Sequence, residues 1–176
     1  MSIKAALRDL LAGEPDETPA ALYASCVAAA RQPAFYATYG VPDTVDGRFD
    51  LLLLHVLLVL RQLKDEALRQ ELFDLMFVDM DRSLREMGVG DMSIGKKMKP
   101  MLAGFYGRAG AYEKALTETG NENLTEALSR NLYGLASGIS PHAETIARYV
   151  RASVESLAAQ RQDDPAEGRV AFAALD

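Results

Sequence analysis

With 176 residues, 49% of them apolar and 25% charged, the chain has the length and composition of one globular domain with a sizeable core. A net charge of −6 and a pI near 5.0 argue against nucleic acid as the main partner. The lone Cys26 excludes an internal disulfide, and the opening "MSIKAALRDLLAGEPDE" lacks the apolar stretch of a signal peptide, so a secreted protein is not expected.

Strand signals are scarce and helix signals frequent. Thr18-Pro19 pairs a cap with a first-turn proline and opens a helix through "AALYASCVAAARQ". "QPAFYATYGVPD" reads as a short helical turn or loop, stopped by Gly40 and Pro42. Asp46 is a suitable cap for a helix from about Gly47 to Leu63, which contains the run "LLLLHVLLVL". Ten apolar positions with a histidine among them are too few for a membrane span of roughly 20 residues. A helix buried on nearly every side is the better reading.

From Asp65 a helix runs to Met87, with Phe73, Met76, Phe77, Met80, Leu84 and Met87 on one stripe. Gly88 falls where a left-handed C-terminal cap belongs. Asp91 then reads as the N-cap of a helix whose Ile94, Met98, Met101, Phe105 and Tyr112 share a face. Pro100 predicts a kink or restart near Lys99. "NENLTEALSRNLYG" is a further helix closed by Gly134, and the last is capped by Ser140 with Pro141 in its first position. From about Asp163 the chain reads as a tail, either loose or laid back on the bundle.

Little here supports catalysis. His55 and His142 are far apart, and metal-ligand spacing such as His-x-x-x-His is absent. No nucleophile elbow, Walker loop or dinucleotide turn occurs, and "GVGDMSIG" follows no strand. His55 reads as a core or edge residue, His142 as surface, and Cys26 as a small buried hydrophobe.

The case for a binding surface is stronger. Six of the seven methionines lie between Met76 and Met101, and methionine is used where varied apolar partners must be accepted. From Met92 to Tyr112 the chain carries Lys96, Lys97, Lys99 and Arg108 and no acidic residue. Phe105 and Tyr106 stand beside Arg108, and Tyr and Arg are interface anchors. The plain alternative puts the methionines and Phe105 in the core and the lysines on a solvated face, and composition alone favours it.

"FVDMDRSLREMGVGDMSIGKKMKPMLAGFYGRAGAYEKAL" resembles the signature of the ubiquinol–cytochrome c chaperone family. Upstream, "RQPAFYATYGVPDTVDGRFDLLLLHVLLVLRQL" is similar to the family's entry into the same domain, and the likeness covers about Ala20 to Tyr149. Pro100 departs from the pattern, where a helix-compatible residue is usual. The resemblance implies a non-catalytic, all-helical assembly chaperone that binds newly made cytochrome b and promotes assembly of complex III. It implies a bacterial member, with a small partner protein or the ribosome as further candidate partners.

The expectations are therefore an all-α, single-domain irregular bundle of about six to seven helices. Residues 1–17 form an N-terminal segment that can be helical, 18–162 the chaperone domain and 163–176 the tail. No metal or cofactor and no direct nucleic acid are expected, and the location is cytoplasmic, with peripheral attachment at the inner membrane allowed. Candidate partner-binding residues are Met80, Arg85, Met87, Asp91, Lys96, Lys97, Lys99, Phe105, Tyr106 and Arg108. The methionine stripe is expected to pair with the helix bearing Met98, Met101 and Phe105, and the lysines with Arg108 to form a basic rim. A ribosome- or RNA-docking adaptor using Lys96 to Arg108 is the alternative.

Overall fold

A computed structural model describes residues 17–160 and 170–175. The described residues are all-helical. In chain order the helices are α1 (Thr18–Ala30), α2 (Pro33–Ala37), α3 (Val45–Gln62), α4 (Glu66–Glu86), α5 (Asp91–Thr117), α6 (Glu122–Asn131) and α7 (Ala143–Ala159). Residues 1–16 and 161–169 lie outside the described residues, and with them nearly all of the expected N-terminal segment and the start of the tail.

The apolar run explains the architecture. Leu51, Leu54 and Leu58 of α3 face one core with Phe35, Leu124, Leu128, Ile146 and Val150. Leu53, Val56 and Val59 face a second core with Leu22, Cys26, Leu68, Leu72, Met76 and Phe105. One helix thus supplies two opposite faces, which is why its apolar pattern is continuous rather than striped. Helix α3 packs against α1, α4 and α7, while α5 runs from α4 to α6 and α6 packs on α7.

The helix ends show which capping signals operate. Asp65 opens α4, its carboxylate accepting from the amides of Ala67 at 2.8 Å and Leu68 at 3.3 Å. Gly88, at φ +84°, closes the same helix: its amide donates to Arg85 and that of Val89 to Leu84, a Schellman arrangement. Four starts differ from expectation. Glu17, not Thr18, precedes α1, although Pro19 does occupy its first turn. Thr44, not Asp46, caps α3, accepting from Gly47 N at 3.1 Å. A side chain at Gly47 would collide with the Pro42 carbonyl at 2.1 Å, so this glycine permits the close approach of the incoming loop. Gly90 is the flanking residue of α5, because the Asp91 carboxylate turns instead to Arg85. Helix α7 begins at Ala143, with Ser140 in the preceding turn: its Oγ accepts from His142 N at 3.4 Å and its own amide donates to Ser129 Oγ at 3.0 Å.

Helix α5 runs through Pro100 without a restart. Of the two options for the tail, residues 170–175 lie back on the bundle. Val170 and Phe172 pack against both cores, and Ala171 exchanges backbone hydrogen bonds with the Gln160 side chain at 3.0 and 2.8 Å. Among the described residues no helix is long and apolar enough to cross a membrane.

Candidate functional site

The methionine stripe of α4 does two things at once. Met76 and Met80 are buried, yet together with Leu84, half-exposed Met87 and Met101 of α5 they form one wall of an open groove of about 390 Å³. The facing wall comes from Val27 and Ala30 of α1 and from Val45, Phe49 and Leu52 of α3. The Tyr23 hydroxyl donates to Asp79 at 2.9 Å, tying α1 to α4. Burial and the adjacent carboxylate both push that phenol's pKa up. Tyr36 closes the α1–α2 corner by donating to the Ala30 carbonyl at 2.7 Å, and Arg48 lies over its ring at 5.8 Å. Arginines 31 and 48 thus stand at one edge of the groove, Asp79 and Glu86 at the other.

The expected pairing of α4 with α5 is present, but rings make the contact. Phe73 meets Phe105 edge to face at 5.0 Å and Phe77 at 4.7 Å, with Tyr106 beyond at 6.3 Å. The methionines instead open toward α1 and α3, a wall the sequence reading did not include. The available signal was the aromatic segment "PAFY" with Tyr36, and Val45 and Phe49 set among polar residues at the start of the next helix, all of which line the groove.

The candidate residues divide by place. Met80 and Met87 line the groove. Phe105 is buried in the second core. Arg85 and Asp91 pair with each other, and Arg85 also holds Asp81 at 2.7 Å, so together they brace the α4–α5 corner. Lys96, Lys97 and Lys99 are exposed, and Tyr106 is 62% exposed. Arg108 does not belong to a basic rim. It turns inward to an ion pair with Asp50 of α3 at 2.9 Å, both side chains largely buried. Burial raises the Asp50 pKa to about 6, against the opposing pull of the guanidinium. A phosphate-binding reading of Lys96 to Arg108 thereby loses its one arginine, the residue best shaped for phosphate.

The groups capable of chemistry lie inside. Cys26 is fully buried and its thiol is pushed up to about 12 by desolvation. His55 is fully buried, with Nδ1–H donating to the Leu51 carbonyl at 2.8 Å and Nε2 accepting from Tyr149 Oη at 2.8 Å. Its pKa is lowered to about 4 by burial, so it is neutral at physiological pH. It is a satisfied core histidine. Among the described residues, no group of three or more His, Cys, Asp or Glu side chains could hold a metal.

The molecule is thus an all-helical domain with a methionine-walled groove, a class of surface suited to holding other polypeptides. Residues 37–172 match the family model described as ubiquinol-cytochrome C chaperone, and the chain belongs to that family. It is 37% identical to the Cbp3 homolog from Brucella abortus, whose crystal structure matches with a TM-score of 0.81 over 99% of this chain and 98% of that one. The human ubiquinol-cytochrome c reductase complex assembly factor 1 is 26% identical over 148 residues, covering 81% of this chain and 49% of the human protein. Its Xenopus laevis counterpart is 25% identical over 141 residues, covering 77% of this chain and 70% of that protein. The chain therefore spans about half the length of the human relative.

Proposed function

We propose that this protein is an assembly chaperone for complex III that receives an apolar segment of cytochrome b in the groove between α1, α3 and α4. The groove is the observation that carries the reading. It is open, aliphatic, aromatic and thioether side chains dominate its walls, and methionines re-pack around partners of varied shape. The polar rim, in which Arg48 pairs with Asp43 and Asp79 with Arg82, suits a segment whose flanks are polar. A holding role rather than chemistry is supported by the burial of Cys26 and of His55, whose ring nitrogens are both engaged. Family membership supports complex III as the destination.

The test uses Val45 and Met87, which are 51% and 50% exposed at the groove edge. The double variant Val45→Asp/Met87→Asp is expected to keep helix content and to lose at least tenfold in capture of cytochrome b from detergent-solubilised membranes. Undiminished capture by the folded variant would sink the groove as the client site.

A further inference from the structure

The first five turns of α5 form a second, separate surface. Ile94, Phe105 and Tyr112 face inward. At about 100° per residue, Met92, Lys96, Lys99 and Tyr106 fall on the opposite side with Leu102 on its flank, while Lys97, though exposed, points toward the other side of the helix. Met92 is 93% exposed, Tyr106 62% and Leu102 38%. No ion pair among the described residues engages Lys96, Lys97 or Lys99, no acidic residue occurs from Met92 to Tyr112, and Asp91 is held by Arg85. Three open-faced glycines, 95, 107 and 110, would meet nothing within 4 Å if they bore a side chain, so this face is flat as well as uncovered.

From this face we propose that α5 docks the protein flat on an anionic lipid bilayer. Charge complementarity selects the occupant. A chain of net charge −6 is repelled on the whole by such a surface, so a patch of unpaired lysines with no acidic neighbour in its own segment is where attraction can prevail. The apolar side chains among those lysines select lipid over nucleic acid. Lysine stems lie along an apolar layer while their ammonium groups stay at the headgroups, and tyrosine favours the same depth. Met92 and Leu102 supply the apolar contact that partition into the interface requires. Nucleic acid would be better served by Arg108, but that guanidinium is turned inward onto Asp50. Docking here leaves the groove's outer edge, at Val45 and Arg48 of α3, on a different element.

Vesicle flotation of the full chain tests this, with phosphatidylcholine vesicles alone or containing about one third phosphatidylglycerol. The parent should float with the anionic vesicles only, and less as salt rises. Lys96→Glu/Lys99→Glu should weaken binding about twenty-five-fold or more, from roughly fivefold per lysine at such a surface. Met92→Ser/Tyr106→Ser should weaken it at every salt concentration. The groove variant Val45→Asp/Met87→Asp should float like the parent, which separates this surface from client capture. Equal binding to both vesicle types, no flotation of the parent, or flotation by the lysine variant equal to the parent's overturns the proposal. So does a parent that ignores vesicles but binds single-stranded RNA through the same lysines.

Discussion

Asp50 and His55 lie on the same helix, α3, and both are buried, yet the two sites are finished differently. Around His55 every polar atom is matched. Leu51 accepts from Nδ1 and Tyr149 donates to Nε2, while Tyr149 in turn accepts from Ser153. Ser153 Oγ takes the amide of Ala173 at 3.2 Å, so the chain of bonds runs from the tail through α7 into α3. Phe35 and Phe172 close on the imidazole edge to face at 5.5 and 4.9 Å. Around Asp50 the match is partial. Arg108 gives it one short ion pair, while Arg108 Nε and Tyr112 Oη are buried with no hydrogen-bond partner among the described residues. A closed network fixes one arrangement, and a half-closed one leaves desolvated groups whose cost rises sharply when a partner is lost.

The largest expected effect tests that asymmetry. Arg108→Glu puts a second carboxylate against buried Asp50 and should cost about 3–5 kcal/mol, because it breaks a buried pair and leaves an uncompensated charge. On the matched side, Tyr149→Phe removes only the donor to His55 and should cost about 1–3 kcal/mol. Lys96→Glu/Lys97→Glu should shift stability by about 0.5 kcal/mol or less, as an exposed change. Urea unfolding of the three variants gives the ranking. An Arg108→Glu protein that unfolds like the lysine pair would mean that the Asp50 bridge contributes nothing.

What the sequence disclosed follows the same division. The all-α class, the central double-faced α3, Asp65 at the start of α4 and Gly88 at its end were legible, because periodicity and capping are local. The assignment of His55 to the core was legible from its apolar neighbours. Arg108 was misplaced because its partner, Asp50, is distant in sequence and stands at the head of an apolar helix. Lysines 96 to 99 and Arg108 look alike as a string of basic residues, and only packing separates the three exposed from the one turned in. Asp46 and Asp91 failed as caps for a similar reason. Thr44 reaches the Gly47 amide, and the Arg85 ion pair draws Asp91 away. The groove was half legible: α4 declared its methionines, but its other wall belongs to helices that meet α4 only in the fold.

The pH dependence of stability sharpens the comparison, because the two sites push in opposite directions. His55 has a folded pKa of about 4, below its ordinary 6.5. The unfolded chain therefore binds the extra proton first, and this contribution to stability is lost as pH falls from 6.5 toward 4. Asp50 has a folded pKa of about 6, above its ordinary 3.8. The folded chain holds that proton longer, so its contribution is full below 3.8 and is lost as pH rises toward 6. Each tenfold change in proton affinity is worth about 1.4 kcal/mol, which makes either contribution on the order of 3 kcal/mol across the window. The parent should show partial cancellation between pH 4.5 and 6.5. Asp50→Asn should lose stability more steeply than the parent on acidification, and His55→Gln less steeply. Urea midpoints at the two pH values check this, and identical slopes in all three proteins would remove both sites from the titration.

The most local test lies on α5 itself. Gly104 is the residue that lets the Arg108 side chain fold back toward α3: an added Cβ would meet Arg108 Nη1 at 2.6 Å. Gly110, on the outward side of the same helix, would meet nothing within 4 Å. Alanine is favoured over glycine inside a helix by about 0.8–1.0 kcal/mol, so Gly110→Ala should stabilise by up to that amount. Gly104→Ala gains the same helix preference but must displace a guanidinium held by a buried carboxylate. The loss of a charged hydrogen bond, about 1.5–3 kcal/mol, outweighs the gain if the side chain cannot slide, and the net should be about 1 kcal/mol destabilising. Combining Gly104→Ala with Asp50→Asn, which leaves Arg108 without a charged partner to lose, should recover most of the difference. If Gly104→Ala and Gly110→Ala stabilise equally in urea unfolding, the guanidinium moves freely, and the Asp50 bridge is looser than its 2.9 Å contact implies.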